Sequence, residues 1–310
     1  MAVRAAPESV ADGGTLTQPS PGGTVRCPSC EGAHVASLFV KNGHRIYRCR
    51  SCDLGFLARV PTREALETLY SASYFTAGGF EGYPDYVGDE PVHRQQARHY
   101  LRDLAREGVR PGTVLDVGCA AGFFLDEARR AGWRTAGCDV SDYAVRHARE
   151  HLGLDVVQGN FVEAELPVTS VDLVTLWSVI AHVPNPRAVE RRLHEIVRPG
   201  GHVAIETSNY RSLIPGLLRS RWHLCSPPSV MYYHTRRSLE TLFAWSRWRL
   251  VTFRRAVKWI TVEHALSRLE HRAGAGLAAR ALGGLRAAVP STLSVPYALG
   301  DIAFVVLERR

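Results

Sequence analysis

The chain has 310 residues, of which 45% are hydrophobic, and its formal net charge is +8. This length suggests about two domains, and the absence of eighteen consecutive apolar residues excludes an ordinary transmembrane helix. We therefore expect a cytoplasmic protein with no membrane partner. Lys41 and Lys258 are the only lysines, and the arginines are scattered along the chain, so the charge does not favour a nucleic-acid partner.

The N-terminal part predicts a small metal module behind a flexible tail. Residues 1–23 are rich in Gly, Pro, Ser and Ala and predict a disordered tail. Residues 24–60 contain two Cys-x-x-Cys pairs, and each pair can present two sulfurs to one ion at about 2.3 Å. They predict a zinc ribbon with a structural Zn²⁺ held by Cys27, Cys30, Cys49 and Cys52. Four unrelated thiols are the alternative, and seven cysteines are too few for a disulfide framework.

After residues 61–108, predicted as a helical lid and linker, the pattern alternates between strands and helices. Strands are predicted at 113–117, 134–139, 155–158, 171–176 and 202–206, with helices at 92–108, 122–131, from 142 onward and at 186–197. Two more strands, 248–257 and 301–308, enclose a mostly helical insertion at about 259–289. This alternation predicts an α/β fold over residues 109–310.

The first strand of this domain ends in a glycine-rich turn. Gly118 suits a tight turn after Asp116, and Gly122 lets the next helix approach the strand closely, while Ala120 stands where a third glycine is usual. The spacing is not that of a dinucleotide site, and a P-loop lysine is absent. The turn therefore indicates S-adenosylmethionine as the cofactor.

Two downstream positions support the same cofactor. Asp139 closes the second strand, where a carboxylate can accept both ribose hydroxyls, although it could simply begin a helix. Asn160 can pair with the adenine amino edge and Phe161 can lie near the ring, with a plain turn asparagine as the alternative.

Residues 110–210 resemble class I S-adenosylmethionine-dependent methyltransferases of the small-molecule type. The resemblance is carried by VLDVGCAAGFF, the acid of GCDVS, GNF, VDLVTLWSVIAHVPNP and RPGGHVAIETSN, and the motifs YRCRSCDLGFL, LYSASYF and GYPDY suggest the subgroup with an N-terminal zinc ribbon. It implies a Rossmann-like doubly wound sheet of seven strands with a terminal antiparallel pair. It implies cofactor contacts at Tyr74, Asp116, Gly118, Cys119, Ala120, Gly122, Asp139, Val140, Asn160, Phe161 and Trp177. For Tyr74, which would sit in a lid, an aromatic packing stripe is the alternative.

The resemblance also bears on catalysis. Ser178 and Ala181 stand where relatives often carry acids, which leaves His182 as the candidate general base, with a capping or cofactor-shaping role as the alternative. Alignment of the reactants can supply about 7–11 kcal/mol, more than the roughly 10²–10⁴-fold typical of a base. Substrate contacts are predicted at His223, Tyr232, Tyr233 and His234, with core packing as the alternative.

Three functions remain open from the sequence. The favoured one is methyl transfer to an oxygen, nitrogen or carbon of a small metabolite, such as a sugar or an intermediate of secondary metabolism. The second is methylation of an RNA base, although the Asn/Asp/Ser-Pro-Pro-aromatic signature of exocyclic-amine transfer is missing where the chain reads Ser178-Val-Ile-Ala181. The third, suggested by Ser178 and Ala181, is cofactor binding without transfer.

Overall fold

The structure is a computed structural model. It describes residues 25–76, 82–83, 85–263, 265–266, 270, 276–290 and 293–310. The tail predicted at residues 1–23 lies outside the described residues, as does part of the insertion predicted at about 259–289. Among the described helices, none combines the length and the apolar character needed to cross a membrane.

The cysteine-containing region forms an antiparallel sheet. Its strands are β1 (Val35–Lys41), β2 (His44–Cys49) and β3 (Gly55–Leu57). Asn42 and Gly43 join β1 to β2, both with positive φ, which is the conformation that tight hairpin turns demand. A fourth strand, β9 (Tyr232–Tyr233), comes from far downstream and pairs with β3. The sequence pattern did not predict this strand.

The predicted lid and linker is helical in its described parts. Helix α1 (Arg63–Leu69) begins after Thr62, whose side chain caps the Ala65 N–H, and α2 (Ala72–Thr76) follows it. Helix α3 (Glu90–Arg106) then packs against the main domain, with Pro91 in its first turn.

The main sheet has seven strands in the order β10-β13-β8-β7-β4-β5-β6. Their bounds are β4 Thr113–Val117, β5 Arg134–Asp139, β6 Val156–Gln158, β7 Val171–Trp177, β8 Val197–Ser208, β10 Trp248–Arg255 and β13 Ile302–Arg309. Strand β13 is antiparallel to both β8 and β10, whereas β6, β5, β4, β7 and β8 run parallel. The expected Rossmann-like sheet with a terminal antiparallel pair is therefore confirmed.

Helices lie between the strands of this sheet. They are α4 Phe123–Arg130, α5 Asp142–Leu152, α6 Pro186–Ile196, α7 Leu213–Leu218, α8 Arg236–Phe243 and α9 Leu277–Ala288. The chain leaves β4 toward β5 and later returns to place β7 on the other side of β4. Such a reversal opens a crevice at the carboxyl ends of β4 and β7, where ligands bind in open α/β sheets.

The insertion predicted as mostly helical also contains a strand pair. Strand β11 (Lys258–Thr261) lies antiparallel to β12 (Ser294–Tyr297) and contacts α3, while α9 lies between the two in sequence. This ribbon was missed because Lys-Trp-Ile-Thr is too short for a clear alternation, and its partner strand is more than thirty residues away.

The cysteine sheet and the main domain share a hydrophobic core. Trp222, Met231, Tyr232 and Tyr233 cluster with Ile46, Leu54, Phe56 and the buried cysteines. The Ser29 hydroxyl also donates to the carbonyl of Ser238 on α8, at 3.5 Å. The sheet that contains the cysteines is thus built into the fold rather than attached by a linker.

Candidate active site

The glycine turn after β4 has the conformation that its glycines predict. Gly118, Ala120 and Gly122 have φ of 69°, 47° and 86°. A Cβ added at Gly118 would lie 2.5 Å from Val179 Cγ2, and one at Gly122 would lie 2.5 Å from Leu154 Cδ1. Glycine is therefore required at both positions by conformation and by space.

Asp139 ends β5 beside this turn and is buried, with 9% of its surface exposed. Its two carboxylate oxygens accept the backbone N–H groups of Ala120 and Ser141, each at 2.8 Å. Burial raises the pKa of Asp139, and the N–H groups of Ser141, Ala120 and Val140 lower it in part. Each carboxylate oxygen can accept a second hydrogen bond, so the residue fits a pair of ribose hydroxyls.

Asp139 itself lines neither of the two nearby cavities, and we call the one of about 1040 Å³ the outer cavity. Val140, Ser141 and Asn160 line it, together with residues of α1 and the segment before it. Asn160 Oδ1 accepts the Val162 N–H at 3.0 Å, which orients the amide. The Ser141 hydroxyl is buried and has no partner among the described residues.

Phe161, predicted beside the adenine, lies elsewhere. It is buried in the hydrophobic core with residues of β4, β5 and β7, and it does not line the outer cavity. Because Phe161 follows a strand end, the sequence indicated that it lies near the cofactor site. Its side chain instead packs into the hydrophobic core beneath the sheet.

A chain of aromatic rings covers the crevice. Tyr70, Tyr74 and Phe75 follow each other at 5.1 and 5.2 Å between ring centres, and Phe75 meets Tyr86 at 5.4 Å. Tyr86 stacks on the His93 ring at 4.0 Å. Tyr74 lines neither cavity, which agrees with the packing alternative. Tyr83 and Tyr86 do line a cavity, and the motif GYPDY was the available signal for them.

A second cavity, of about 200 Å³, is called the inner cavity. Asp116, Gly118 and Cys119 of the glycine turn line it, as predicted, and so does Trp177 at the end of β7. The opposite wall consists of α3 and of strand β11, beginning with Lys258. Trp177 stacks on Tyr100 of α3 with 3.9 Å between ring centres.

Asp116 is a buried acid of the inner cavity. Its carboxyl group accepts the Thr175 hydroxyl at 2.6 Å. Burial raises the pKa of Asp116 to about 8, while the Thr175 hydrogen bond lowers it and the Asp139 charge raises it further. Asp116 is therefore largely protonated at neutral pH, in which state it can donate as well as accept a hydrogen bond.

A buried ion pair lies at the same cavity, and sequence reasoning missed it. One oxygen of Glu206, on β8, accepts Lys258 Nζ at 2.6 Å and Ser178 Oγ at 2.7 Å, and the other accepts the Tyr100 hydroxyl. Burial acts to raise the pKa of Glu206, but Lys258 and the hydrogen bonds outweigh it and hold the pKa below its usual value. Burial likewise lowers the pKa of Lys258, and Glu206 more than restores it. The available signal was that Lys258 is one of only two lysines in an arginine-rich chain.

His182, the predicted base, lies outside both cavities. Its Nδ1 is 3.0 Å from the Tyr70 hydroxyl, and burial lowers the pKa of His182 to about 4. The neighbouring Ala181 carbonyl accepts the N–H groups of Met231 and Tyr232, which ties this loop to β9. The base role of His182 stays a prediction that this placement does not favour.

The four predicted substrate residues do not line either cavity. Tyr232 and Tyr233 are buried in β9, and their hydroxyls donate to the carbonyls of Pro184 and Val230. His234 is fully buried, which lowers its pKa to about 4. His223 lies beside Tyr297, 3.4 Å from its hydroxyl. Burial in the core therefore agrees with the packing alternative for Tyr232, Tyr233 and His234, whereas His223 is exposed, and the substrate contacts stay predictions.

The four predicted metal ligands come together at one point. Their sulfur atoms all lie within 4.8 Å of one another, and the Cys27–Cys52 and Cys30–Cys49 sulfur distances are each 3.5 Å. These distances are far beyond a disulfide bond and close to the edge of about 3.8 Å of a tetrahedron with Zn–S bonds of about 2.3 Å.

Comparisons with known proteins point to one family. A family model described as "Methyltransferase domain" matches residues 92–251. The ubiquinone biosynthesis O-methyltransferase of Serratia proteamaculans is 32% identical over 127 residues, and that of Cronobacter sakazakii is 34% identical over 128. Each match covers 39% of this chain and 53% or 52% of the relative, so the chain spans about half the length of these curated relatives.

One solved structure has a comparable fold. Magnesium protoporphyrin IX methyltransferase from Synechocystis PCC 6803, crystallised with bound SAH, superposes with a TM-score of 0.51 and 14% sequence identity. The alignment covers 80% of this chain and all of that one. At this identity the likeness shows a shared fold.

Proposed function

Because this chain belongs to the class I S-adenosylmethionine-dependent methyltransferases, we propose that it transfers a methyl group from S-adenosylmethionine to a small molecule bound in the inner cavity. One observation carries the proposal. Residues of the glycine turn line the inner cavity, and so does Lys258, which is paired with Glu206. The turn expected to bind the cofactor and this ion pair therefore lie at the same cavity.

The residues around Asp139 fit the cofactor. Asp139 would hold the ribose, Val140, Ser141 and Asn160 would hold the adenine side in the outer cavity, and Asp116 and Gly118 would hold the amino-acid part. The Ser141 hydroxyl, which is buried without a partner among the described residues, supports a polar ligand there. When bound, this cofactor supplies an already activated methyl group.

The protein's own contribution is then alignment and exclusion of water. Stacked Tyr100 and Trp177 form a rigid wall of the inner cavity, and Tyr83 and Tyr86 close its mouth. Fixing an acceptor in line with the methyl group can supply about 7–11 kcal/mol. Ser178 stands where an acid was expected, and its hydroxyl bonds to the buried carboxylate of Glu206, so this site does contain an acid, contributed by β8.

We also propose that Cys27, Cys30, Cys49 and Cys52 hold a structural Zn²⁺. The mutual sulfur distances support it, and four protein ligands would leave no coordination position for a catalytic water. The small size of the inner cavity favours a metabolite over an RNA base in its polynucleotide context. The oxygen acceptors named in the relatives' descriptions are consistent with, and do not define, the acceptor of this chain.

Cofactor binding by an Asp139→Ala variant tests the proposal. The lost hydrogen bonds to a charged group should weaken binding of S-adenosylmethionine by about 1.5–3 kcal/mol in calorimetric titration. Asp155→Ala is the matched control, because Asp155 is an exposed acid just before β6, whereas Asp139 is buried and accepts the Ala120 N–H of the glycine turn. Equal affinities for the two variants, with unchanged circular dichroism, would remove Asp139 from the site.

A second arm of the experiment concerns transfer itself. Extracts of small metabolites would be incubated with a methyl-labelled donor and either the natural protein or Asp139→Ala. A labelled product formed only by the natural protein supports transfer. Tight cofactor binding with no labelled product from any fraction would instead support the alternative of binding without transfer.

A further inference from the structure

Lys258 presents a cation to the inner cavity at a fixed position. Glu206 and Ser178 accept two of its three N–H bonds, at 2.6 and 3.3 Å, and the residue lines the cavity. Because Glu206 keeps the pKa of Lys258 raised despite burial, the ammonium group stays charged at neutral pH. Only 29% of the Lys258 side chain is exposed, and a partly buried cation of this kind is a binding site for an electron-rich oxygen.

Further donors line the same cavity. The indole nitrogens of Trp177 and Trp259 are buried, and neither finds an acceptor among the residues that the structure describes. Leaving a buried donor without a partner costs about 1–3 kcal/mol. An oxygen ligand in this cavity would relieve that cost, whereas a protonated amine would add a donor and a second cation.

Glu206 is a poor candidate for a general base. Its two oxygens already accept three hydrogen bonds, and its pKa lies below the ordinary value. A weak, fully engaged base would take a proton from a hydroxyl with difficulty. Its geometry instead suits a positioning residue that fixes the Lys258 ammonium group.

The other titratable groups that line the cavity are Asp89, Asp116, Cys119, His93, Tyr83, Tyr86 and Tyr100, and burial raises the pKa of the Cys119 thiol. Burial raises the pKa of Asp116 to about 8 and that of Asp89 to about 6, and it raises the pKa of Tyr86 and Tyr100 well above the usual value. At neutral pH Asp116 and these tyrosines are therefore largely uncharged, so Lys258 is the fixed cation of the site.

We propose that Lys258 binds the acceptor as an oxyanion, and that the acceptor is a small molecule with an acidic oxygen on a planar group, such as a phenol or an enol. The inference rests on the proposed function and names its acceptor class. The acceptor loses its proton to water on binding, its oxygen forms the new O–CH₃ bond, and the S–CH₃ bond breaks with its electron pair remaining on sulfur. The aromatic walls formed by Tyr100, Trp177 and Trp259 suit a planar group of one ring.

The test uses 4-nitrophenol, whose ionised form has its own visible absorption, and the protein without cofactor. The apparent pKa of the bound probe should fall by one unit or more relative to free probe, and 4-nitroanisole, which has no acidic oxygen, should bind at least tenfold more weakly. Lys258→Met should abolish the pKa shift, and Lys258→Arg should keep part of it. No binding of the probe to the natural protein, or the same shift in Lys258→Met, overturns the proposal.

Two further variants separate the roles. Lys258→Met/Glu206→Gln removes both buried charges, so it tests the loss of the shift even if Lys258→Met folds poorly. Glu206→Gln alone should reduce the shift, because Glu206 fixes the Lys258 ammonium group and keeps its pKa raised, and a full shift in this variant would contradict the positioning role of Glu206. Calorimetry with S-adenosylmethionine accompanies each variant. Normal cofactor affinity without a shift in the pKa of the bound probe would contradict only this inference. Absent cofactor binding in the natural protein would contradict the proposed function.

Discussion

The molecule contains two buried polar clusters, and in each of them a negative charge removed from water must be compensated. The two clusters differ in where the compensating cation comes from. At the inner cavity, the Glu206 carboxylate meets a cation from the chain itself, Lys258. At the cysteine sheet, four sulfur atoms converge, and no hydrogen bond from a lysine or arginine reaches any of them within the described part of the chain. The first cluster can form from the protein alone. The second, with its thiols ionised, requires a cation from solution.

Loss of the proposed metal should have the largest effect, because no lysine or arginine of the described residues forms a hydrogen bond to the four cysteine sulfurs. Cys49→Ser should reduce zinc from about one equivalent to less than half, as measured by metal analysis, and should lower the thermal midpoint more than any variant below. Cys225→Ser is the control, since Cys225 is a buried thiol of the same hydrophobic cluster that is not one of the four converging cysteines. Full zinc content in Cys49→Ser would contradict the four-ligand site.

Breaking the ion pair should come next. Lys258→Met leaves the Glu206 carboxylate buried without its cation, which we expect to cost about 3–5 kcal/mol in urea unfolding. Lys258→Met/Glu206→Gln should recover much of that loss, because no uncompensated charge remains. Arg63→Met, which breaks the exposed Arg63–Glu67 pair, should cost less than about 1 kcal/mol. A double variant no more stable than Lys258→Met would show that the charges do not interact.

Asp116 shows a third way in which a buried acid avoids an uncompensated charge. It binds a proton and becomes neutral, whereas Glu206 stays ionised beside a cation. Its pKa of about 8 in the folded state exceeds the ordinary value of about 3.9, so the folded protein binds more protons than the unfolded chain between about pH 4 and 8. Stability should therefore fall as pH rises through this window, by at most about 1.4 kcal/mol per pH unit from this group. Asp116→Asn should flatten the profile in urea unfolding, whereas Asp155→Asn should leave it unchanged.

The smallest effect on activity is expected from substitution of His182. The loop that carries this residue is hydrogen-bonded to β9 through the Ala181 carbonyl. Because His182 lines neither cavity and its pKa is about 4, His182→Ala should lower kcat by less than about fivefold and leave the pH profile unchanged near pH 6.5. A fall of 10²-fold or more, with loss of an acidic limb, would restore the base role. Tyr70→Phe, which removes the hydroxyl beside Nδ1, is the matched control.

Much of the fold was predictable because its signals are local. The strand predicted at 113–117 has those bounds, and the turn behind it follows from the space and conformation at Gly118 and Gly122. Asp116 and Asp139 could be predicted as site residues for the same reason, because each lies at or next to the end of a strand beside the glycine turn. Lys258 and Glu206 were missed because a pair 52 residues apart leaves no local pattern.

The predicted site residues that line neither cavity share a different cause. Phe161, Tyr232 and His234 follow strand ends or lie near them, but sequence position does not define which way a side chain points. Phe161 turns into the core under the sheet, and Tyr232 pairs with Phe56 across to the cysteine sheet. The long-range pairing of β3 with β9 determines where Tyr232 lies. Neither strand is long enough to be recognised from its sequence pattern.

The pairing of β3 with β9 also has a consequence for synthesis of the chain. Phe56 leaves the ribosome about 175 residues before its partner Tyr232, a delay of roughly 9–35 s at about 5–20 residues per second. For that time the open edge of β3 can pair with extended segments of other nascent chains. A fragment that stops before residue 232 keeps this edge open permanently, so we expect such fragments to aggregate even when they have taken up zinc.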